Sequence, residues 1–160
     1  MSPAPQAVVE LVERFNSDRA LYRTANYNEA QARTEFVDPL FEALGWDMRN
    51  AQGRPFNQRE VQVETNVRVR GVMRSPDYRF QLGQDQFYVE AKKPAVDVQA
   101  DIGPAFQLRS YAWSKKLPLS VLTDFEEFSI YDCRTVPKAK DGTHVGRLKY
   151  ITFEEYPARW

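Results

Sequence analysis

The chain has 160 residues, 42% apolar and 28% charged, with 22 basic and 22 acidic side chains balancing to a formal net charge of +0. That profile suits one soluble, folded domain and argues against a disordered chain or a uniformly basic nucleic-acid binder, and no apolar run approaches the roughly 20 residues of a membrane span. A single cysteine, Cys133, and a single histidine, His144, exclude an internal disulfide and a Cys/His zinc site, and they leave a His-based triad without a Ser or Cys partner.

The N-terminus "MSPAPQAVVELVERF" has neither a basic segment nor an apolar one of secretory type, so a reducing cytoplasm is expected. Val8, Val9, Val12, Phe15 and Tyr22 recur at helical spacing and predict a helix over 5–24. A second helix starts near Asn28, an N-cap with Gln31 placed for a capping box. Its stripe is Phe36, Val37, Leu40, Phe41 and Leu44, and Gly45 is its stop. Pro39 lies inside that pattern and should bend or break the helix.

"REVQVETNVRVRG" alternates Val61, Val63, Val67 and Val69 as one strand with a wet face. A hairpin over Asp77 to Lys93 follows, closed by Pro94. Residues 101–115 read as a helix capped by Asp101, with Ile102, Ala105, Phe106 and Trp113 toward the core. "LPLSVLTD" is apolar enough to be a central strand covered on both faces. "FEEFSIYDC" and "RLKYITFEE" are two more strands around a turn at Lys140 to Thr143. The order of elements predicts an α/β (α+β) domain with a mixed sheet flanked by helices.

The hairpin is where charge gathers without an obvious structural need. Tyr78, Phe80 and Leu82 share one face of its first strand, as do Phe87, Val89 and Ala91 in its second. Matching these apolar faces brings Asp77 opposite Glu90 or Lys92, with all three charges on the other face. Two carboxylates beside an ammonium suit a hard divalent cation, and the Ala91 carbonyl can add another oxygen. The competing reading is a solvated cross-strand ion pair, worth under about 1 kcal/mol.

Pro76–Asp77, twelve intervening residues and then Glu90–Ala91–Lys92 match the motif of the PD-(D/E)XK nucleases. Gln107 and Tyr111, spaced i, i+4, resemble the QxxxY element of a subset of that family. Longer strings, "NEAQARTEFVDPLFEALGWD", "SPDYRF", "FYVEAKKP" and "AFQLRSYAWSKKLPLSVLTDFEEFSIYDCR", are similar to the N-terminal endonuclease domain of type IIG restriction–modification enzymes. The N-terminal nuclease part of type I restriction motor subunits is similar too.

The resemblance implies a restriction-endonuclease-like fold and Mg²⁺-dependent cleavage of double-stranded DNA, with Mn²⁺ as a substitute. It implies that Asp77, Glu90, the Ala91 carbonyl and Glu35 hold the metal. Lys92 would position or activate the attacking water, with Gln107 and Tyr111 in support. Arg68, Arg70, Arg74 and Lys93 are candidate phosphate contacts. S-adenosylmethionine would belong to a methyltransferase region downstream on the same polypeptide, beside a target-recognition region, so residues 1–160 are expected to be the cleavage module alone. A double-strand break from one site per chain asks for a second copy. The third reading, a nuclease-like docking module without activity, has to explain why Asp77, Glu90 and Lys92 are all present.

Overall fold

The computed structural model describes residues 2–63, 67–69 and 71–160, with backbone only for 67–69 and 72–74. Helix α1 (Gln6–Ser17) stops earlier than its apolar spacing suggests. The run Asn16–Ser17–Asp18 ends it: the Ser17 hydroxyl donates back to the Glu13 carbonyl at 2.9 Å, and Asp18 leaves helical geometry at φ −123°. A short turn, α2 (Arg19–Tyr22), then stacks Tyr22 on Phe15 with ring centroids 5.3 Å apart.

The second helix begins with α3 (Glu29–Ala32) and has the expected capping box. The Gln31 amide donates to the Asn28 side chain at 2.9 Å, and the Gln31 side chain takes the Asn28 amide at 3.0 Å. It then widens into a π turn (Arg33–Val37) and resumes as α4 (Asp38–Ala43), with Pro39 in the first turn of α4. The physical reason is proline's missing N–H. In an unbroken α-helix residue 39 would donate to the carbonyl of residue 35. That carbonyl, on Glu35, instead accepts from the Arg14 guanidinium on α1. Gly45, at φ 97°, closes the helix as expected.

The main sheet has six strands in the order β1 (Val61–Val63), β4 (Tyr78–Leu82), β5 (Asp85–Ala91), β6 (Leu119–Thr123), β7 (Glu127–Asp132) and β8 (Arg147–Thr152). Only β5 and β6 pair in parallel, joined through helix α5 (Ile102–Ser114); the other neighbours are antiparallel. The architecture is α+β with a mixed sheet flanked by helices, compatible with a restriction-endonuclease-like fold.

The expected single strand over Val61 to Val69 is two. β2 (Val67–Val69) forms a separate ladder with β3 (Val72–Arg74), a strand not anticipated. β1 pairs Val63 with Tyr78, so the positions that would continue its ladder are Asp77 and then Pro76, which offers no donor.

Both faces of the sheet are covered. On one, Phe15, Phe36, Val37, Leu40 and Phe41 of the N-terminal helices pack on Phe80, Val89 and Val121. On the other, Leu108, Tyr111 and Ala112 of α5 pack on Tyr88, Leu122 and Tyr131. The core side of α5 is thus shifted from expectation, since Ile102 and Trp113 are 45% and 42% exposed. A second surface on α5 confuses its pattern, because buried Arg109 reaches Asp141 of the β7–β8 connection at 2.9 Å. Asp101 stands at the N-cap position of α5, but its side chain makes no capping bond. Among the described residues no helix is long and apolar enough to cross a membrane.

Phe15 is fully buried and its ring lies within 5.3 Å, centroid to centroid, of Tyr22, Phe36, Phe125 and Phe153. Phe15→Ala should lower unfolding free energy by about 3–5 kcal/mol in urea titrations. A loss below about 1 kcal/mol would show that the ring cluster closes over the gap and does not hold the helices to the sheet.

Candidate active site

The hairpin register decides which charges meet. Tyr78 pairs with Val89 and Leu82 with Asp85, with Gly83 at φ 61° in the turn. Extending that ladder by one residue sets Asp77 opposite Glu90, the first of the two registers the sequence allowed.

Glu90 lies on the α5 side of β5, where the sequence suggested a wet face, and it is only 2% exposed. Its Oε1 accepts from Lys92 Nζ at 2.8 Å and from Gln107 Nε2 at 2.7 Å. Its Oε2 is buried with no hydrogen-bond partner. Gln107 also donates to the Tyr111 hydroxyl at 2.7 Å, so the i, i+4 pair on α5 meets the hairpin directly. These side chains are too deeply packed for the solvated-ion-pair reading.

Asp77 is held at both oxygens. Oδ2 accepts from the Ala91 amide at 2.7 Å, and Oδ1 lies 3.3 Å from Arg33 Nη1. Ala91, singled out in the sequence for its carbonyl, also braces Asp77 through its N–H.

Glu35 is not part of this cluster. Its backbone carbonyl is held by Arg14 of α1, and its charge, after burial itself, helps to raise the hydroxyl pKa values of Tyr22 and Tyr27. The acid that the helix does bring here is Glu29, whose Oε2 lies 3.8 Å from Lys92 Nζ. Residues six apart on an α-helix point about 240° apart, so Glu29 and Glu35 do not share a face. An acid in the first turn of a capped helix is ordinarily a dipole partner, which hid Glu29 from sequence reading. Arg33 carried no signal at all.

Of the expected phosphate contacts, Lys93 is half-buried and close enough to act on the charge of Glu29. Arg70 lies outside the described residues, as do the side chains of Arg68 and Arg74.

The electrostatics follow from burial. Desolvation, helped by the Asp77 charge, pushes Glu90 up to about 7 against the opposing pull of Lys92. Desolvation works the other way on Lys92, yet Glu90, Glu29 and Asp77 outweigh it and the net shift is upward. Glu29 is raised by burial, with Lys92 opposing. Lys92 is therefore an ammonium near neutral pH.

Among the described residues no three Asp, Glu, His or Cys side chains form a group able to hold a metal ion alone. Mg²⁺ ordinarily takes one or two carboxylates and keeps the rest of its shell for water and substrate phosphate. Asp77 and Glu90 fit that pattern, and the buried Oε2 of Glu90 is a carboxylate oxygen without a hydrogen-bond partner.

Two carboxylates, Asp77 and Glu90, and Lys92 thus lie together at one end of the hairpin on an α+β scaffold. The chain is similar to the type II restriction enzyme and methyltransferase RM.Eco57I of Escherichia coli, 45% identical over 148 residues, which is 91% of this chain and 15% of that protein. The chain thus spans about one-seventh of the length of the relative it matches. No family model matches the chain, and no solved structure does.

Because Glu90 binds its proton more tightly folded than unfolded, with its usual value at 4.5 and its folded value about 7, it costs no stability below 4.5. As pH rises from 4.5 through 7 the folded state increasingly carries a buried charge and loses stability. Thermal melts in EDTA should show wild type losing several degrees relative to Glu90→Gln between pH 5 and pH 8 (roughly two to four degrees per 1 kcal/mol in a domain of this size). Parallel pH curves for the two proteins would contradict the burial argument.

Proposed function

We propose that this chain is the DNA-cleaving module of a restriction–modification enzyme, hydrolysing phosphodiester bonds with a divalent cation, Mg²⁺ or its substitute Mn²⁺. The observation that carries the reading is the buried Glu90, gripped by Lys92 and Gln107 and facing Asp77 across the hairpin. The similarity to part of a type II restriction enzyme and methyltransferase supports it.

Asp77 and Glu90 would hold the cation, with Glu29 in place of Glu35 as the outer acid and the Ala91 carbonyl as a further candidate oxygen. A cation bound there supplies Lewis-acid polarisation of the phosphoryl oxygens and eases ionisation of water. Asp77 enters the site already oriented, since Ala91 and Arg33 fix its oxygens. Glu90, Glu29 and Asp77 favour the protonated form of Lys92, so its part is to orient the attacking water by donating to it and to stabilise negative charge on the phosphoryl oxygens. Gln107 and Tyr111 hold Glu90, and through it Lys92, in place.

The substrate in this reading is double-stranded DNA, met through its phosphates by Lys93 and by Arg68, Arg70 and Arg74 of the β2–β3 segment. Phosphate contacts bring affinity without sequence choice. Target recognition, methyl transfer and the S-adenosylmethionine site would lie elsewhere on the polypeptide, and a double-strand break would use a second copy. A cytoplasmic setting follows from that role.

Incubated with supercoiled plasmid and Mg²⁺, the wild-type chain should nick DNA with little sequence preference. Asp77→Ala and Lys92→Ala should each reduce the rate by about 10²–10³-fold. Equal nicking by all three proteins would remove both residues from the mechanism, and no nicking by any of them would favour the docking-module reading.

A further inference from the structure

We propose that Arg33 is a positioning residue of this site: anchored from behind by Tyr78 and Asp38, its guanidinium sets the plane of the Asp77 carboxylate for a divalent cation. The proposal rests on the metal-dependent reading above.

Three contacts run in series from the helix to the site. The Tyr78 hydroxyl donates to Asp38 Oδ1 at 2.5 Å, and Arg33 Nε donates to the same hydroxyl oxygen at 3.0 Å. Arg33 Nη1 then reaches Asp77 Oδ1 at 3.3 Å. The guanidinium carbon also lies 4.7 Å from the centroid of the Tyr78 ring, within cation–π range. That ring is 1% exposed and packed in the core, so the anchor cannot drift.

Asp77 follows β5 backbone at one oxygen, through Ala91, and the helix at the other, through Arg33. A carboxylate fixed at one oxygen still rotates about its last torsion; two donors from separate elements define its plane.

The π turn makes the arrangement. Residues five apart on an α-helix lie about 140° apart round the axis, which would separate Arg33 from Asp38. Here the Asp38 amide donates to the Arg33 carbonyl, a bond that spans five residues and brings both side chains to Tyr78. Such turns recur at functional sites. Pro39, by denying Glu35 its usual donor, is the residue in the sequence that favours the turn.

The test is Mn²⁺ binding by titration calorimetry on the purified chain, with metal-free melting curves run in parallel, for wild type, Asp77→Ala, Arg33→Gln, Arg33→Lys and Tyr78→Phe. Asp77→Ala should abolish binding. Arg33→Gln should weaken it by about 10–100-fold, the usual effect of losing a partner of a metal-binding carboxylate. Arg33→Lys should not restore it, because an ammonium cannot hold Tyr78 and Asp77 together as a planar fork does. Tyr78→Phe keeps the ring, removes only the hydroxyl and should weaken binding in the same direction; it decides the matter if Arg33→Gln fails to melt cooperatively. Wild-type affinity in Arg33→Gln and Tyr78→Phe, with binding lost in Asp77→Ala, would overturn the role of Arg33 and leave the metal reading standing. Tighter binding in Arg33→Gln, or full affinity in Arg33→Lys, would reduce Arg33 to a plain charge. Unchanged binding in Asp77→Ala would sink the metal reading, and this proposal with it.

Discussion

A carboxylate buried on an inner strand is the constraint around which this molecule is organised. Glu90 stands between β4 and β6 under α5, where a hydrophobic side chain would be the cheaper choice. An acid so placed must be neutralised, paired or ligated. The protein pairs one oxygen with Lys92 and Gln107 and leaves the other without a partner. An unsatisfied carboxylate oxygen beside an ammonium is a poor way to stabilise a fold.

The surrounding architecture serves that placement. The antiparallel β4–β5 pair sets Asp77 against Glu90, while the parallel β5–β6 pair requires a crossover, and the crossover helix carries Gln107 and Tyr111. The N-terminal helices cover the opposite face, and their π turn delivers Arg33 while α3 delivers Glu29. The two faces of the sheet thereby meet at the site, at the end of β5 where it emerges from between the helix layers. Conserving the charge of Lys92 follows from the same crowding: three carboxylates around one ammonium outweigh the cost of its burial.

Much of this was legible from residue order because it depends on neighbours close in sequence. Strand parity along 78–91 put Asp77, Glu90 and Lys92 on one face, and the four-residue spacing of Gln107 and Tyr111 put both on one side of α5. The capping box at Asn28 and Gln31 and the stop at Gly45 are likewise local rules, and they held. The disruption at Pro39 was also readable as the loss of one donor, although its outcome, a π turn before the proline and not a kink after it, was not.

What the sequence by itself determined, then, is most of the elements, the hairpin register to within one choice and the charged triad it carries. The tertiary structure alone decided that Glu90 is dry, that Glu29 and not Glu35 faces Lys92, that Arg33 braces Asp77, and that Val67 to Val69 leave the main sheet. Those outcomes turn on which surface of a helix or strand finds a partner distant along the chain, and on how deeply that partner excludes water. Periodicity assigns a face to every residue, but burial and electrostatic neighbours exist only once the layers have packed.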